Sequence, residues 1–202
     1  MTPARRRLLE SVADLTSTLR RPPGSPEVAR HLGRPSVSEL VTSCRRAGLL
    51  APRSPLAGVW SSEPLRLTPA ARLELGLPIL TYVACPLPDG APGSVESSFW
   101  VADEAFRVAS MFLPGCVPVA ALRGLSPRDV TPEVLARFLA GAAQLAAACD
   151  ACVVWRSRLL TGRVDVQAAL AAGAVTVLLH SADQAAGGWQ AAERVERTHV
   201  SH

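Results

Sequence analysis

The sequence contains no lysine, and all 21 of its basic residues are arginine. This absence excludes chemistry that needs a lysine amine, such as a Schiff base, a serine–lysine dyad or the phosphate-binding lysine of a P-loop. Aromatic residues make up only 4% of the chain. No stretch approaches the roughly 18 consecutive apolar residues of a membrane-spanning helix. Because 49% of the residues are hydrophobic, we expect one large or two small globular domains and no contact with a membrane.

The start of the chain is basic, but no continuous apolar stretch follows, because Glu10 and Asp14 interrupt it. We therefore expect no secretory signal peptide and predict a cytoplasmic protein, with its five cysteines reduced. Cys149 and Cys152 have the spacing of half a zinc site, but no further ligands follow at a suitable distance. The sequence accordingly predicts neither a metal nor a cofactor.

The charge is unevenly distributed along the chain. Residues 1–72 contain 12 arginines and 5 acidic residues, a net charge of +7, whereas residues 73–202 contain 9 arginines and 12 acidic residues, a net charge of −3. A basic first third attached to a mildly acidic remainder is typical of a nucleic-acid-binding module joined to a second domain.

Three helices are predicted within the basic segment. Thr2 and Pro3 begin the first helix, Ser25 and Pro26 begin the second, and the third extends over residues 36–47. In the third helix Val37, Val41 and Cys44 recur at helical spacing and form its inner side. Two short strands, residues 50–51 and 65–67, are predicted to flank a loop rich in proline, serine and glycine.

This order of elements resembles the winged helix-turn-helix family and is similar to the N-terminal domain of LexA-type repressors. The resemblance implies that the third helix enters the major groove of DNA and that the loop, as a wing, contacts phosphate. The residues implied in DNA contact are basic or polar, with one acidic exception: Arg5, Arg6, Arg7, Arg34, Ser36, Ser38, Glu39, Thr42, Arg45, Arg46 and Arg53. The implied partner is a double-stranded operator read by a homodimer.

The rest of the chain resembles the peptidase domain of the same family in part. Residues 76–78 and 83–84 are similar to its cleavage region, which would place the scissile bond between Ala84 and Cys85. Residues 123–126 are similar to the segment that holds the nucleophile, which would be Ser126, and Glu193 stands where the family has its catalytic lysine. The resemblance thus implies a peptidase domain that has lost self-cleavage and is no longer an enzyme.

The predicted fold class is α+β. We expect a winged-helix domain over residues 1–75, a hinge with the vestigial cleavage region over 76–98, and a mostly β regulatory and dimerisation domain over 99–202. The last of these has an inserted helix over residues 131–148. The implied function is that of a repressor-like transcriptional regulator linked to the DNA-damage response, with the RecA filament or another damage-response protein as a further partner.

Three alternatives remain open at this point. In the first, the chain is a protein-interaction module. In the second, it is a winged-helix regulator with an unrelated α/β ligand-sensing domain, since a strand–helix–strand order is predicted between Val117 and Arg156. The third alternative is a surviving serine hydrolase, either an autopeptidase or an enzyme that uses Ser126 with His180.

Overall fold

The computed structural model describes residues 1–51, 64–88, 93–125, 128 and 130–195. The chain forms two compact units, Met1–Leu77 and Pro78–His202. Eight α-helices and one five-stranded mixed sheet are found in the described residues, so the predicted α+β class is confirmed.

The first unit contains helices α1 (Pro3–Leu19), α2 (Ser25–His31), α3 (Ser38–Arg46) and α4 (Pro69–Glu74). Helix α1 begins where the sequence predicts, because the Thr2 hydroxyl accepts a hydrogen bond from the Arg5 backbone N–H and Pro3 occupies the first turn. The predicted second and third helices are also confirmed, with α3 shorter than predicted at both ends.

Glycines in the left-handed conformation follow three of these helices, among them α2 and α3. Gly33 follows α2 with a φ of 62°, and Gly48 follows α3 with a φ of 69°. After α3, the Gly48 N–H donates to the Arg45 carbonyl and the Leu49 N–H donates to the Cys44 carbonyl, both at 2.9 Å. These bonds satisfy carbonyls at the end of the helix and turn the chain away from it.

Antiparallel bridges join Leu50 to Leu67 and Gly24 to Pro64. The chain therefore returns beside the segment that follows α3 and also reaches the segment that precedes α2. The loop between these bridges, including Arg53, lies outside the described residues. The core of this unit is formed by apolar residues from α1, α2, α3 and the bridged segments: Leu8, Leu9, Val12, Val28, Val37, Val41, Cys44, Leu50 and Leu65.

The second unit is built on strands β1 (Ile79–Ala84), β2 (Cys116–Val119), β3 (Ala151–Trp155), β4 (Val175–Leu179) and β5 (Glu193–Arg194). Their order in the sheet is β2-β1-β3-β4-β5. The first four strands are parallel and β5 is antiparallel to β4. Helices α5 (Ser94–Phe112), α6 (Pro132–Ala148) and α7 (Val164–Ala171) connect successive parallel strands, and α8 (Ala182–Ala186) precedes β5.

Alternate residues of the central strands pack against different helices. Val83, Val153 and Val177 belong to a core with residues of α5 and α8, whereas Tyr82, Cys152 and Leu178 belong to a core with residues of α6 and α7. Side chains of successive strand residues point to opposite faces, so helices cover both faces of the sheet. Strands covered in this way are apolar throughout, as β3 is: all five of its residues are buried.

The structure corrects three predictions for this unit. The described part of residues 99–202 contains more helix than strand, so the prediction of a mostly β domain there was wrong. The segment predicted as a hinge, residues 76–98, contains β1, which pairs with both β2 and β3 inside the sheet. The predicted boundary between residues 98 and 99 falls within α5, because buried residues recur there at helical spacing (Ser98, Ala102, Ala105, Val108, Ala109).

Candidate functional site

Helix α3 divides its residues between a buried and an exposed side. Val41 and Cys44 are buried in the first unit, together with Val37 just before the helix. Ser38, Glu39, Thr42 and Arg46 are exposed and, with Ser43, line a shallow groove on the surface. Because these positions follow one another at helical spacing, the helix presents a continuous polar strip with a cation near its C-terminus.

Arg5 attaches α3 to α1. Its guanidinium Nε and Nη2 donate to the Ser43 hydroxyl at 3.0 and 2.6 Å, and the side chain is half-buried between the two helices. Arg5 was predicted among the DNA contacts, and the structure engages it in holding the exposed helix in place.

The other predicted DNA contacts occupy different surroundings. Arg7, Arg34 and Ser36 are exposed, and the Ser36 hydroxyl accepts a hydrogen bond from the Ser38 backbone N–H at 3.2 Å, just before α3. Arg6 forms an exposed ion pair with Glu10 at 2.9 Å. Arg45 is half-buried, and Arg53 lies outside the described residues.

In the second unit, the carboxyl ends of the parallel strands meet at one edge of the sheet. Cys85, Arg156 and His180 are the first residues after β1, β3 and β4. After β1 the chain crosses to β2 on one side, whereas β3 and β4 lie on the other. In open α/β sheets, the crevice at such a change of direction is where ligands bind.

A buried network lies beneath this edge. The Tyr82 hydroxyl donates to Asp165 Oδ2 at 2.6 Å, and Arg163 donates to both carboxylate oxygens of Asp165 at 2.7 Å. Arg163 also donates to the Cys85 carbonyl at 2.5 Å. Asp165, at the start of α7, is thereby joined to β1, which is about 80 residues earlier in the chain.

The network is saturated with hydrogen bonds. Asp165 Oδ1 also accepts the Val166 N–H at 2.9 Å, so that each carboxylate oxygen accepts two bonds and no lone pair is left for a proton transfer or a ligand. Burial alone would raise the pKa of Asp165, but the hydrogen bonds and charge of Arg163, with the Tyr82 hydroxyl, together lower it. Burial followed by the Asp165 charge raises the pKa of Tyr82. The network therefore holds the start of α7 against the end of β1.

Arg156 has an unusual backbone conformation at the end of β3. Its φ is 61°, in the left-handed region that few residues other than glycine adopt. Its N–H donates to the Leu179 carbonyl at 2.7 Å, and its guanidinium bonds Glu104 at 2.8 Å and lies 5.1 Å from the centre of the Trp155 ring. Strained backbone of this kind is concentrated at functional sites.

Glu193, predicted in place of a catalytic lysine, lies in β5 beside His180. Its carboxylate accepts from Arg158 Nη2 at 2.6 Å and lies 3.3 Å from His180 Nε2. Ser126, the predicted nucleophile position, lies outside the described residues. The structure thus places the Arg158 guanidinium and the His180 imidazole beside Glu193, and the predicted relation of Glu193 to Ser126 stays a prediction.

The predicted cleavage bond lies at the end of a central strand. Ala84 pairs with Val154 in the sheet and is fully buried, and Cys85 is 4% exposed. Burial raises the pKa of the Cys85 thiol to about 12, so the sulfur stays protonated at neutral pH. A bond in this position is buried and is not exposed to attack by a nucleophile.

Sequence reasoning missed the Tyr82–Asp165–Arg163 network and Arg156. One signal was available: Tyr82 is the only tyrosine of the chain and lies within an apolar stretch, where a buried hydroxyl needs a partner.

Among the residues that the structure describes, no group of three or more histidine, cysteine or acidic side chains is placed to hold a metal ion. Within the same residues, no helix is long and apolar enough to cross a membrane.

Comparisons of the chain with protein-family models, with curated proteins and with solved structures found no match.

Proposed function

We propose that the chain is a DNA-binding transcriptional regulator, in which residues 1–77 form a winged helix that binds double-stranded DNA through α3. The observation that carries this proposal is the exposed strip of Ser38, Glu39, Thr42 and Arg46 on a helix whose opposite side is buried. Hydroxyl and guanidinium groups are the usual donors to phosphates and to base edges in the major groove.

The order of elements supports the same conclusion. Two helices precede α3, and the bridge between Leu50 and Leu67 brings the chain back after a loop, as in the winged-helix arrangement. The net charge of +7 on residues 1–72 favours a polyanionic partner. The relation to LexA-type repressors and the link to the DNA-damage response and the RecA filament stay predictions.

For the second unit, we propose a ligand-sensing α/β domain in preference to a relic of a peptidase. Its four parallel strands with helices on both faces support this alternative, as does the change of direction between β1 and β3. Arg156, whose side chain is 44% exposed at the carboxyl edge, favours a small molecule with an anionic group.

DNA binding is tested with the full chain and a fluorescent duplex taken from upstream of its own gene. We expect the anisotropy to rise on binding at low salt and the affinity to fall as salt is added, because Arg–phosphate contacts release counterions. Absence of binding at low salt would contradict the proposal.

Ligand sensing is tested by native mass spectrometry of the full chain purified under mild conditions. We expect a bound small molecule that is lost from Arg156→Ala and retained by Arg137→Ala, which removes an exposed arginine from α6. Equal retention by both variants would argue against a ligand at the carboxyl edge.

A further inference from the structure

The outward side of α5 carries a row of exposed residues with a large apolar side chain at each end. Trp100 is 63% exposed and Met111 is 68% exposed. Asp103 and Arg107 lie between them, and the four line a shallow groove along the helix. Tryptophan, methionine and arginine are enriched at protein–protein interfaces, which makes this row a candidate contact surface.

The row is a true face of the helix and not a set of scattered positions. Ala102, Ala105, Val108 and Ala109 occupy the opposite side and are buried against the sheet. Trp100, Asp103, Arg107 and Met111 follow at intervals of three or four residues, which stacks them on one side of a helix. From Trp100 to Met111 the row extends over roughly 16 Å.

The order of these residues is self-complementary. The midpoint between Trp100 and Met111 and the midpoint between Asp103 and Arg107 both fall next to Ala105. If a second copy of α5 lies antiparallel across a two-fold axis at this point, Trp100 faces Met111 of the other copy and Asp103 faces Arg107. A parallel arrangement would instead place like charges together, which is destabilising.

From this match we propose that a second copy of the chain docks on the α5 face and forms a symmetric dimer. The contact is isologous, since each residue meets its complement twice, and this closes the assembly at two copies. Methionine sulfur against an aromatic ring and the two Asp103–Arg107 pairs give the contact its register. The inference goes beyond the proposed function and is measured without DNA.

Sedimentation velocity of the full chain tests the proposal across the micromolar range. We expect twice the chain mass of 21.3 kDa for the unaltered protein. Asp103→Arg alone and Arg107→Asp alone each place like charges together across the axis, so each should weaken dimerisation tenfold or more. An equimolar mixture of the two variants should recover dimers, because each then supplies the charge that the other needs.

Two controls separate this outcome from loss of folding. Circular dichroism of both single variants should match the unaltered chain, and Arg137→Asp, a charge reversal on the exposed side of α6, should leave the dimer unchanged. Trp100→Ala should also weaken dimerisation. A monomeric unaltered chain, single variants that dimerise normally, or a mixture that stays monomeric would overturn the proposal.

Discussion

Arg163 and Asp165 form a bidentate ion pair inside the second unit, with both nitrogen–oxygen distances at 2.7 Å. The Asp165 side chain is completely buried and that of Arg163 is 14% exposed. Breaking a buried pair is costly because it leaves an uncompensated charge in the interior. Since Arg163 also bonds the Cys85 carbonyl, the pair holds the start of α7 against the end of β1.

Replacing the carboxylate of this pair should destabilise the second unit strongly. We expect Asp165→Asn to lower the free energy of unfolding by about 3–5 kcal/mol, because the Arg163 charge remains buried without its counterion. Urea unfolding measures this loss. Glu193→Gln, which removes a carboxylate from an exposed pair, is the matched control and should cost less than about 1 kcal/mol. Equal losses in the two variants would contradict the role assigned to Asp165.

The same carboxylate should make stability depend on pH in the acid range. Because the pKa of Asp165 is lower in the folded chain than its ordinary value, its contribution is complete above the unfolded pKa of about 3.9 and is lost as the pH falls further. Urea unfolding between about pH 3 and pH 7 should show a smaller acid loss for Asp165→Asn than for the unaltered chain. Parallel curves would show that this group is not responsible.

The glycine after α3 should resist substitution. Gly48→Ala forces a left-handed conformation on a residue with a Cβ, although no atom lies within 4 Å of it, and should cost about 1 kcal/mol of stability. Gly141→Ala is the matched control. It lies at an exposed position within α6, also with no atom within 4 Å, and should gain about 0.5–1 kcal/mol. Calorimetry resolves both changes, and a gain from Gly48→Ala would refute the explanation.

Arg5 should act through the position of α3. Arg5→Ala removes two hydrogen bonds to the Ser43 hydroxyl, and we expect a loss of about 1 kcal/mol in the stability of the first unit. Arg7→Ala removes an exposed arginine from the same helix and should change stability by less than about 0.5 kcal/mol. Thermal unfolding distinguishes the two, and no difference would mean that the contact with Ser43 is not needed.

Local signals in the sequence predicted individual elements well. The helix predicted over residues 131–148 is α6, and the strand–helix–strand order predicted between Val117 and Arg156 is that of β2, α6 and β3, because capping and periodicity depend on neighbouring residues. The sheet order was not predicted. Strand β1 pairs with β3, whose residues lie about 70 positions further along the chain, and no local pattern encodes such a partner.

The candidate sites also differ in whether local patterns in the sequence could predict them. The exposed strip on α3 was predicted because Val41 and Cys44 fix which side of the helix is buried. The Tyr82–Asp165 bond joins residues that are 83 positions apart in the chain, whereas the resemblance to a peptidase directed the prediction to the bond between Ala84 and Cys85. The apolar run over residues 79–85 was compatible with a cleavage region and with a buried strand. The pairing of β1 with β2 and β3 in the sheet shows that it is a buried strand.

The salt dependence of DNA binding by Arg46→Ala tests the central proposal most directly. If Arg46 on α3 contacts a phosphate, its removal should weaken binding and reduce the slope of log affinity against log salt by about one. Arg137→Ala removes an equal charge from the second unit and should leave both quantities unchanged. Unaltered affinity and slope for Arg46→Ala, or an equal effect of Arg137→Ala, would contradict DNA recognition through α3.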